Sequence, residues 1–288
     1  MDYFIAGSVK EAVGKLRDAG GEGMVIAGGT DLMIDLEEGK KKARTLVDVT
    51  RIPEMRVIEK EGDTLVIGAA VPLAEISSSP LVREFFPSLA RGAGVVGSLQ
   101  IRNVATLVGN IVTAQPAADA AMAVAPLAPL IEIHGPKGIR QATMDEMYAG
   151  FGRSTLDSTS EVVTSVRIPC PKKGEAASFV RLELRKSLSL PMLNAAAMAH
   201  VFEGTLKWTR ITMGPVGVGP KRARQAEEWF SNKPFTIENI RTASGMVLMD
   251  AKPRSNPLRG SQEYREQTLP VIVRRAFEDI AGQLGIAI

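Results

Sequence analysis

Residues Met24-Val25-Ile26-Ala27-Gly28-Gly29-Thr30-Asp31-Leu32 join a short apolar run to two glycines, a hydroxyl and an acid. Met24 to Ala27 suits a buried strand, Gly28 and Gly29 allow backbone angles closed to other residues, and Thr30 can cap a following helix. A strand that turns this abruptly into a helix aims several amide N–H groups at one spot. With the positive end of the helix behind them, those donors suit a phosphate. A plain glycine turn followed by an N-cap explains the same nine residues, so the stretch decides the local fold but not yet a ligand.

A second stretch repeats the pattern. Thr106-Leu107-Val108-Gly109-Asn110 places Gly and Asn, both tolerant of left-handed backbone, after β-branched and small residues. A helix led by Pro116 is predicted next, with Ala118 and Asp119 in its first turn, where an acid is favoured by the helix dipole and can accept hydrogen bonds from a ligand. Two phosphate-type turns in one chain suggest a dinucleotide. Residues 92–97 also carry the Gly92, Gly94, Gly97 spacing of a Rossmann loop. That reading is rejected, because Pro87 and Arg91 interrupt the segment that would have to be a buried strand.

The chain has 288 residues, 45% hydrophobic and 23% charged, which is enough for two domains or one large one. A net charge of +3, with basic clusters scattered at Lys40–Lys42, Lys221-Arg222 and Arg274-Arg275, gives no nucleic-acid footprint, and the clusters are read as solvated faces. No run approaches the length of a membrane span, and Met1-Asp2-Tyr3-Phe4 lacks signal-peptide character, so a cytoplasmic protein is expected. Cys170 is the single cysteine, and His134 and His200 stand far apart, so this polypeptide alone cannot ligate an iron–sulfur cluster or a zinc knuckle. No metal site is expected here.

Along the chain, a helix is predicted over 8–19 and strands over 24–27, 45–49, 64–69, 130–134 and 161–168. The Pro169-to-Gly174 cluster is the best boundary. Beyond it, residues 178–185, 194–202 and 206–213 read as an antiparallel meander followed by helices. In the last helix Tyr264, Leu269, Ile272, Ala276, Phe277, Ile280 and Leu284 fall near one face, and Pro270 should kink or split it. The methionines are read as core filler. No constellation of side chains suited to difficult chemistry is present, so no catalytic residue is assigned and a cofactor must supply the chemistry.

Residues 27–32, Gln100-Ile101-Arg102-Asn103, 106–110 with 116–119, and the downstream stretches Gly214-Pro215-Val216 and Arg259 to Arg265 together resemble the flavoprotein subunit of molybdenum hydroxylases, the xanthine dehydrogenase and carbon monoxide dehydrogenase family. The fold this implies is α+β: a two-subdomain FAD-binding region of the PCMH type at 1–172, with subdomains of about 1–57 and 58–172. A smaller domain at 173–288 follows, with a three-stranded antiparallel sheet and helices.

The resemblance further implies that Ala27, Gly28, Gly29, Thr30 and Asp31 wrap the FAD pyrophosphate, with Ile26 and Leu32 flanking it. Thr106, Gly109 and Asn110 would form a second cradle, Ala118 and Asp119 would meet ribityl or ribose hydroxyls, and Val162 or Val163 would lie on the apolar part of the cofactor. Arg181 would stabilise reduced flavin. Val108 and the loop Leu188-Ser189-Leu190-Pro191 depart from the family pattern, the loop near the flavin ring. By resemblance the partners are a [2Fe-2S] subunit and a molybdopterin subunit, in a dimer of heterotrimers, with NAD first among acceptors and oxygen, a quinone or a ferredoxin-like carrier open. A stand-alone FAD oxidoreductase and a non-catalytic nucleotide-binding module are the alternatives.

Overall fold

The computed structural model describes residues 1–186, 188–257 and 259–288. Among the described residues three main β-sheets follow one another along the chain, with a two-stranded sheet beside the second. The first is built from β1 (Asp2–Ile5), α1 (Val9–Asp18), β2 (Gly23–Ile26), α2 (Leu32–Glu37) and β3 (Thr45–Asp48). Its strands are parallel in the order β1-β3-β2, with Asp2 and Gly23 both in register with Thr45. Ser8 caps α1, accepting from the Glu11 amide, and Val9, Ala12 and Leu16 form its buried stripe at helical spacing. β1 escapes sequence reading because its side chains are mostly exposed, which removes the alternation that marks a half-buried strand.

The second layer contains β4 (Ile58–Glu61), β5 (Thr64–Gly68), α3 (Leu73–Ser78), α4 (Pro80–Phe85), α5 (Pro87–Gly94), α6 (Leu99–Arg102), α7 (Leu107–Val112), α8 (Asp119–Val124), β6 (Leu130–Gly135), β7 (Gly138–Thr143), the short pair β8 (Tyr148–Gly150) and β9 (Arg153–Ser154), and β10 (Val162–Pro169). The main sheet is antiparallel in the order β4-β5-β10-β6-β7. Its outer strands, Ile58-Glu59-Lys60-Glu61 and Gly138-Ile139-Arg140-Gln141-Ala142-Thr143, are largely exposed and polar, as edges often are. The glycines of residues 92–97 do not open a Rossmann unit: Gly92 and Gly94 are helical in α5.

The third layer comprises β11 (Glu175–Glu183), β12 (Pro191–Phe202), β13 (Thr205–Gly214), β14 (Lys221–Arg222), α9 (Arg224–Phe230), β15 (Lys233–Pro234), α10 (Ile237–Met246) and α11 (Gln262–Leu284). The expected three-stranded meander forms β11-β12-β13. Two-residue strands β14 and β15 extend it to five by pairing with β13. Pro270 does not split α11, which is continuous over 23 residues. Its ring removes a donor to the Glu266 carbonyl, but both residues lie on a half-buried flank where that carbonyl can be solvated. Tyr264 is exposed rather than on the buried face.

The third sheet is buried on both sides, and the two-residue period of a strand explains how. Ala177, Phe179, Ala196 and Met198 join the core of the first two layers, whereas Ala176, Leu193, Ala195, Ala197 and Ala199 join a second core with α9, α10 and α11. Within that second core Phe277 stands edge-on to Phe230 with ring centroids 5.5 Å apart, and Phe235 stacks on Phe230 at 6.0 Å. Phe277→Ala should cost about 3–5 kcal/mol of unfolding free energy. Urea titration checks the loss, and the variant should keep its cofactor content, because this cluster lies across the sheet from the cavity described next.

Candidate cofactor site

Gly28 and Gly29 are required for different reasons. Gly29 adopts a left-handed conformation with φ +67°. Gly28 does not, but an ideal Cβ there would lie 2.1 Å from the carbonyl oxygen of Val104 and 2.9 Å from Cα of Ala105. No side chain fits in that contact. The glycine pair therefore turns the chain out of β2 and lets the first layer touch the backbone between α6 and α7.

The helix after the turn begins later than the sequence suggests. Asp31 occupies the cap position of α2 without a side-chain capping bond, and Thr30 donates its hydroxyl to Asp31 Oδ2 at 3.3 Å instead of capping the helix. Among the described residues, no protein acceptor takes the amides of Gly28, Gly29, Thr30, Asp31 and Leu32. Five unspent donors on one turn form an anion-binding concavity.

The second stretch is a helix start rather than a turn of the first kind. Thr106 caps α7, its Oγ1 accepting from the Gly109 amide at 2.9 Å, and Gly109 and Asn110 are helical. Asn110 Oδ1 accepts from the Ala121 amide at 2.9 Å, fixing α7 against α8. The left-handed residue in this region is Ala114, at φ 48°. The amides open to a ligand are consequently those of Leu107 and Val108, since Gly109 is already satisfied. Val108 fits because a helix needs no unusual angle from a β-branched residue. Pro116 does not lead α8: the helix starts at Asp119, with Ala118 at its cap.

Between these two helix starts lies a cavity of ≈ 850 Å³. Ile26, Ala27, Gly28, Gly29, Thr30, Asp31, Leu32, Thr106, Gly109, Asn110, Ala118 and Asp119 all line it. Val162 does not. It is fully buried in the core, and on β10 its neighbour Val163 faces the cavity, as the alternation of a strand requires. Lys41 lines the cavity too, held by Asp35 at 3.1 Å, so the Lys40–Lys42 run is not simply a solvated face. Gln115, Ser98, Ile101, Leu188 to Leu190 and Arg259 complete parts of the wall. Apart from Ile101 in α6, these residues lie outside helices and strands, where no periodicity marks them.

Arg181 is not part of that wall. Its side chain is 6% exposed, its Nε lies 3.1 Å from Asp119 Oδ2, and Asp119 Oδ1 accepts from Asn194 Nδ2 at 2.8 Å. Arg181 also donates to the Ser189 carbonyl and sits 3.6 Å from Glu183. Arg181 and Asn194 are cross-strand partners of β11 and β12, on the same face as Phe179 and Ala196, so strand alternation delivers both to Asp119. The cation expected at the flavin instead holds the acid at the start of α8 and the Leu188–Leu190 loop. Burial pushes the Asp119 carboxyl up to about 6, with Arg181 and Asn194 opposing the shift.

Gly28→Ala should force the Val104 peptide away and lower stability by about 1–3 kcal/mol, whereas Gly14→Ala, with open space around it in α1, should be neutral or stabilising. Parallel thermal melts distinguish the two. For Asp119, the folded carboxyl binds its proton more tightly than the unfolded one, at about 6 against 3.8. Its contribution is therefore full below pH 3.8 and lost as pH rises through about 6. Urea titrations across that window should show wild-type stability falling relative to Asp119→Asn by roughly 2–3 kcal/mol, with parallel curves above it.

Two family models cover this chain: the FAD binding domain in molybdopterin dehydrogenase over residues 1–171, and the CO dehydrogenase flavoprotein C-terminal domain over residues 178–280. The nicotinate dehydrogenase FAD-subunit of Eubacterium barkeri is 29% identical over 290 residues, covering 99% of this chain and 97% of the relative. The carbon monoxide dehydrogenase medium chain of Hydrogenophaga pseudoflava is 29% identical over 278 residues, covering 96% of each. Among solved structures, carbon monoxide dehydrogenase from that organism, in a form lacking the Mo-pyranopterin moiety, superposes with a TM-score of 0.91 at 29% identity, covering 98% of both chains. Unspent amides at two helix starts, a glycine turn closed to side chains and a cavity shared between layers fit a dinucleotide, and the chain belongs to the FAD-binding flavoprotein subunits of the molybdenum hydroxylases.

Proposed function

We propose that this chain is the electron-transfer subunit that receives electrons from an iron–sulfur partner and passes them to a final acceptor. FAD supplies that step because it can take up electrons singly and release them as a pair. The observation that carries the reading is the cavity itself, into which two separate elements turn backbone amides that no protein acceptor takes. Such a wall binds and orients a cofactor. The Asp119 carboxyl on that wall is engaged by Arg181 and Asn194, which makes it a structural tie rather than a group offered to a substrate carbon.

In this reading the amides of Gly28 to Leu32 hold the pyrophosphate, with Ile26 and Ala27 behind it and Lys41 adding a positive charge. Thr106 and Gly109 shape the second cradle through their mutual hydrogen bond, and Val108 contributes the open amide. Asn110 sets the position of α8 and thereby of Ala118 and Asp119 at the cavity edge. Of the two valines offered for the apolar role Val163 takes it, and Arg181 acts on the site through Asp119 and the Ser189 carbonyl. The division of the chain at residue 172, with subdomains of about 1–57 and 58–172, belongs to the same reading.

A single cysteine cannot bind a cluster, so the electrons come from another chain. The surface supports such a partner: Leu99 and Val104 expose apolar side chains beside Ile101, which also lines the cavity. An iron–sulfur subunit and a molybdopterin subunit, assembled as a dimer of heterotrimers in the cytoplasm, complete the proposal. NAD is the first acceptor to test, before oxygen, a quinone and a ferredoxin-like carrier. Among the described residues no helix is long and apolar enough to cross a membrane.

Heat release followed by chromatography should yield FAD and not FMN, because two cradles imply two phosphates. The FAD-loaded chain, mixed in a stopped-flow instrument with a reduced iron–sulfur subunit, should bleach and then recover on addition of the acceptor. Turnover of a small organic substrate by the purified single chain would overturn the subunit reading.

A further inference from the structure

Beside the main cavity lies a second pocket of ≈ 280 Å³, lined by Pro116, Phe151, Pro215, Val216, Gly217, Lys252, Arg254, Ser255, Asn256, Arg259 and Arg265. Four of these side chains are cationic and none is acidic. Among the described residues, none of Lys252, Arg254, Arg259 and Arg265 takes part in an ion pair with a carboxylate. Arg254 stacks over the ring of Phe151, 5.0 Å from its centroid, which holds its guanidinium in place without neutralising it.

Arg265 is the decisive residue. It is 3% exposed, and it donates to the carbonyls of Arg254 and Pro215, while its Nε has no partner. Carbonyls orient a guanidinium but carry no net charge. It also lies in the first turn of the 23-residue α11, where the helix dipole is positive and a cation is disfavoured. Burial and the neighbouring charges of Arg259 and Arg254 all weigh against its charged form. A buried, uncompensated charge is strongly unfavourable, so a site that gathers three more cations around it is built for a counter-anion. The fork of donors and the polar Ser255 match a tetrahedral oxyanion.

We propose that this pocket is a phosphate-class oxyanion site. Its volume suits one phosphate or a pyrophosphate. Arg259 lines both this pocket and the main cavity, so the anion would sit at the cavity's edge, next to the Leu188–Leu190 loop. The site stands apart from the FAD cradle, whose amides and Lys41 belong to the first two layers, and it does not depend on how electrons enter or leave the chain. Two sources supply this chemistry: free phosphate or pyrophosphate, and the pyrophosphate of a dinucleotide or its ADP-ribose portion.

The test uses the full chain with its cofactor bound, titrated calorimetrically with inorganic phosphate, pyrophosphate and ADP-ribose against potassium chloride at matched ionic strength. The expected result is saturable binding of pyrophosphate that weakens about tenfold or more in Lys252→Gln and in Arg254→Gln, both of which alter exposed side chains and should fold. Arg265→Lys, which keeps charge but not the fork, should weaken it further, and a melt taken alongside shows whether that variant is folded. Competition between ADP-ribose and pyrophosphate assigns the site to a dinucleotide, and binding of the inorganic anions alone assigns it to free oxyanion. Either result supports the site. If no oxyanion binds above the chloride control, or if Lys252→Gln and Arg254→Gln leave binding unchanged, the proposal is overturned.

Discussion

The contact of Gly28 with the Val104–Ala105 peptide is the constraint on which the site depends. Backbone meets backbone there, and a Cβ would overlap the Val104 carbonyl at 2.1 Å. Neighbouring bonds support the seam: within the second layer the Leu73 amide donates to the Ala105 carbonyl and Pro72 bridges to Thr106, and across the seam the Val25 amide donates to the Ser158 carbonyl. Two helix starts from different layers are thereby brought to face one cavity. Because protein interiors are close-packed and transmit strain, a shift of a few tenths of an ångström at Gly28 would misalign donors on both α2 and α7.

Where backbone packing joins the first two layers, a buried ion pair at the cavity edge adds to the apolar packing that joins the third to them. Asp119 sits at the first position of α8, where an acid is favoured, and receives a cation and an amide from a cross-strand pair of the third sheet. Such a buried pair contributes less to net stability than to uniqueness of arrangement, because removing one partner leaves the other uncompensated in a low dielectric. Here that specificity has a location: the same Arg181 that fixes Asp119 also reaches the Ser189 carbonyl in a loop lining the cavity. The acid near the cofactor is therefore a joint between layers.

Residues whose role follows from local backbone chemistry were legible in the sequence. Gly29 needs its left-handed angle, α1 forms where apolar residues recur at helical spacing, and the long strands of the third sheet form within the stretches read as a meander. Roles set by tertiary contact were not. Thr30 reads as a cap, but the cap position falls one residue later at Asp31, and Gly109 reads as a turn although Thr106 captures its amide into a helix. Choosing between Val162 and Val163 needs the face of β10, which two adjacent valines cannot disclose. Lys41, Gln115 and Arg259 reach the cavity from loops, where no period exists to read. Edge strands β4 and β7 carry polar residues on both faces, so the very feature that protects them from unwanted pairing hides them from pattern reading.

The distribution of charge around the cavity follows from the same division of labour. On the first two layers most of the anion donors are neutral amides, with Lys41 the charged exception; the amides are fixed by the backbone and need no reorganisation to meet an anion. On the third layer the donors are side-chain cations gathered by the loop before α11, and these repel one another until an anion is present. A cavity wall drawn from all three layers also means that a ligand binding only the folded chain stabilises it in proportion to the logarithm of its free concentration over its dissociation constant. Cofactor occupancy, the Gly28 seam and the Asp119 joint are therefore linked energetically. Loosening either joint must weaken the cofactor, and the bound cofactor must in turn hold both joints closed.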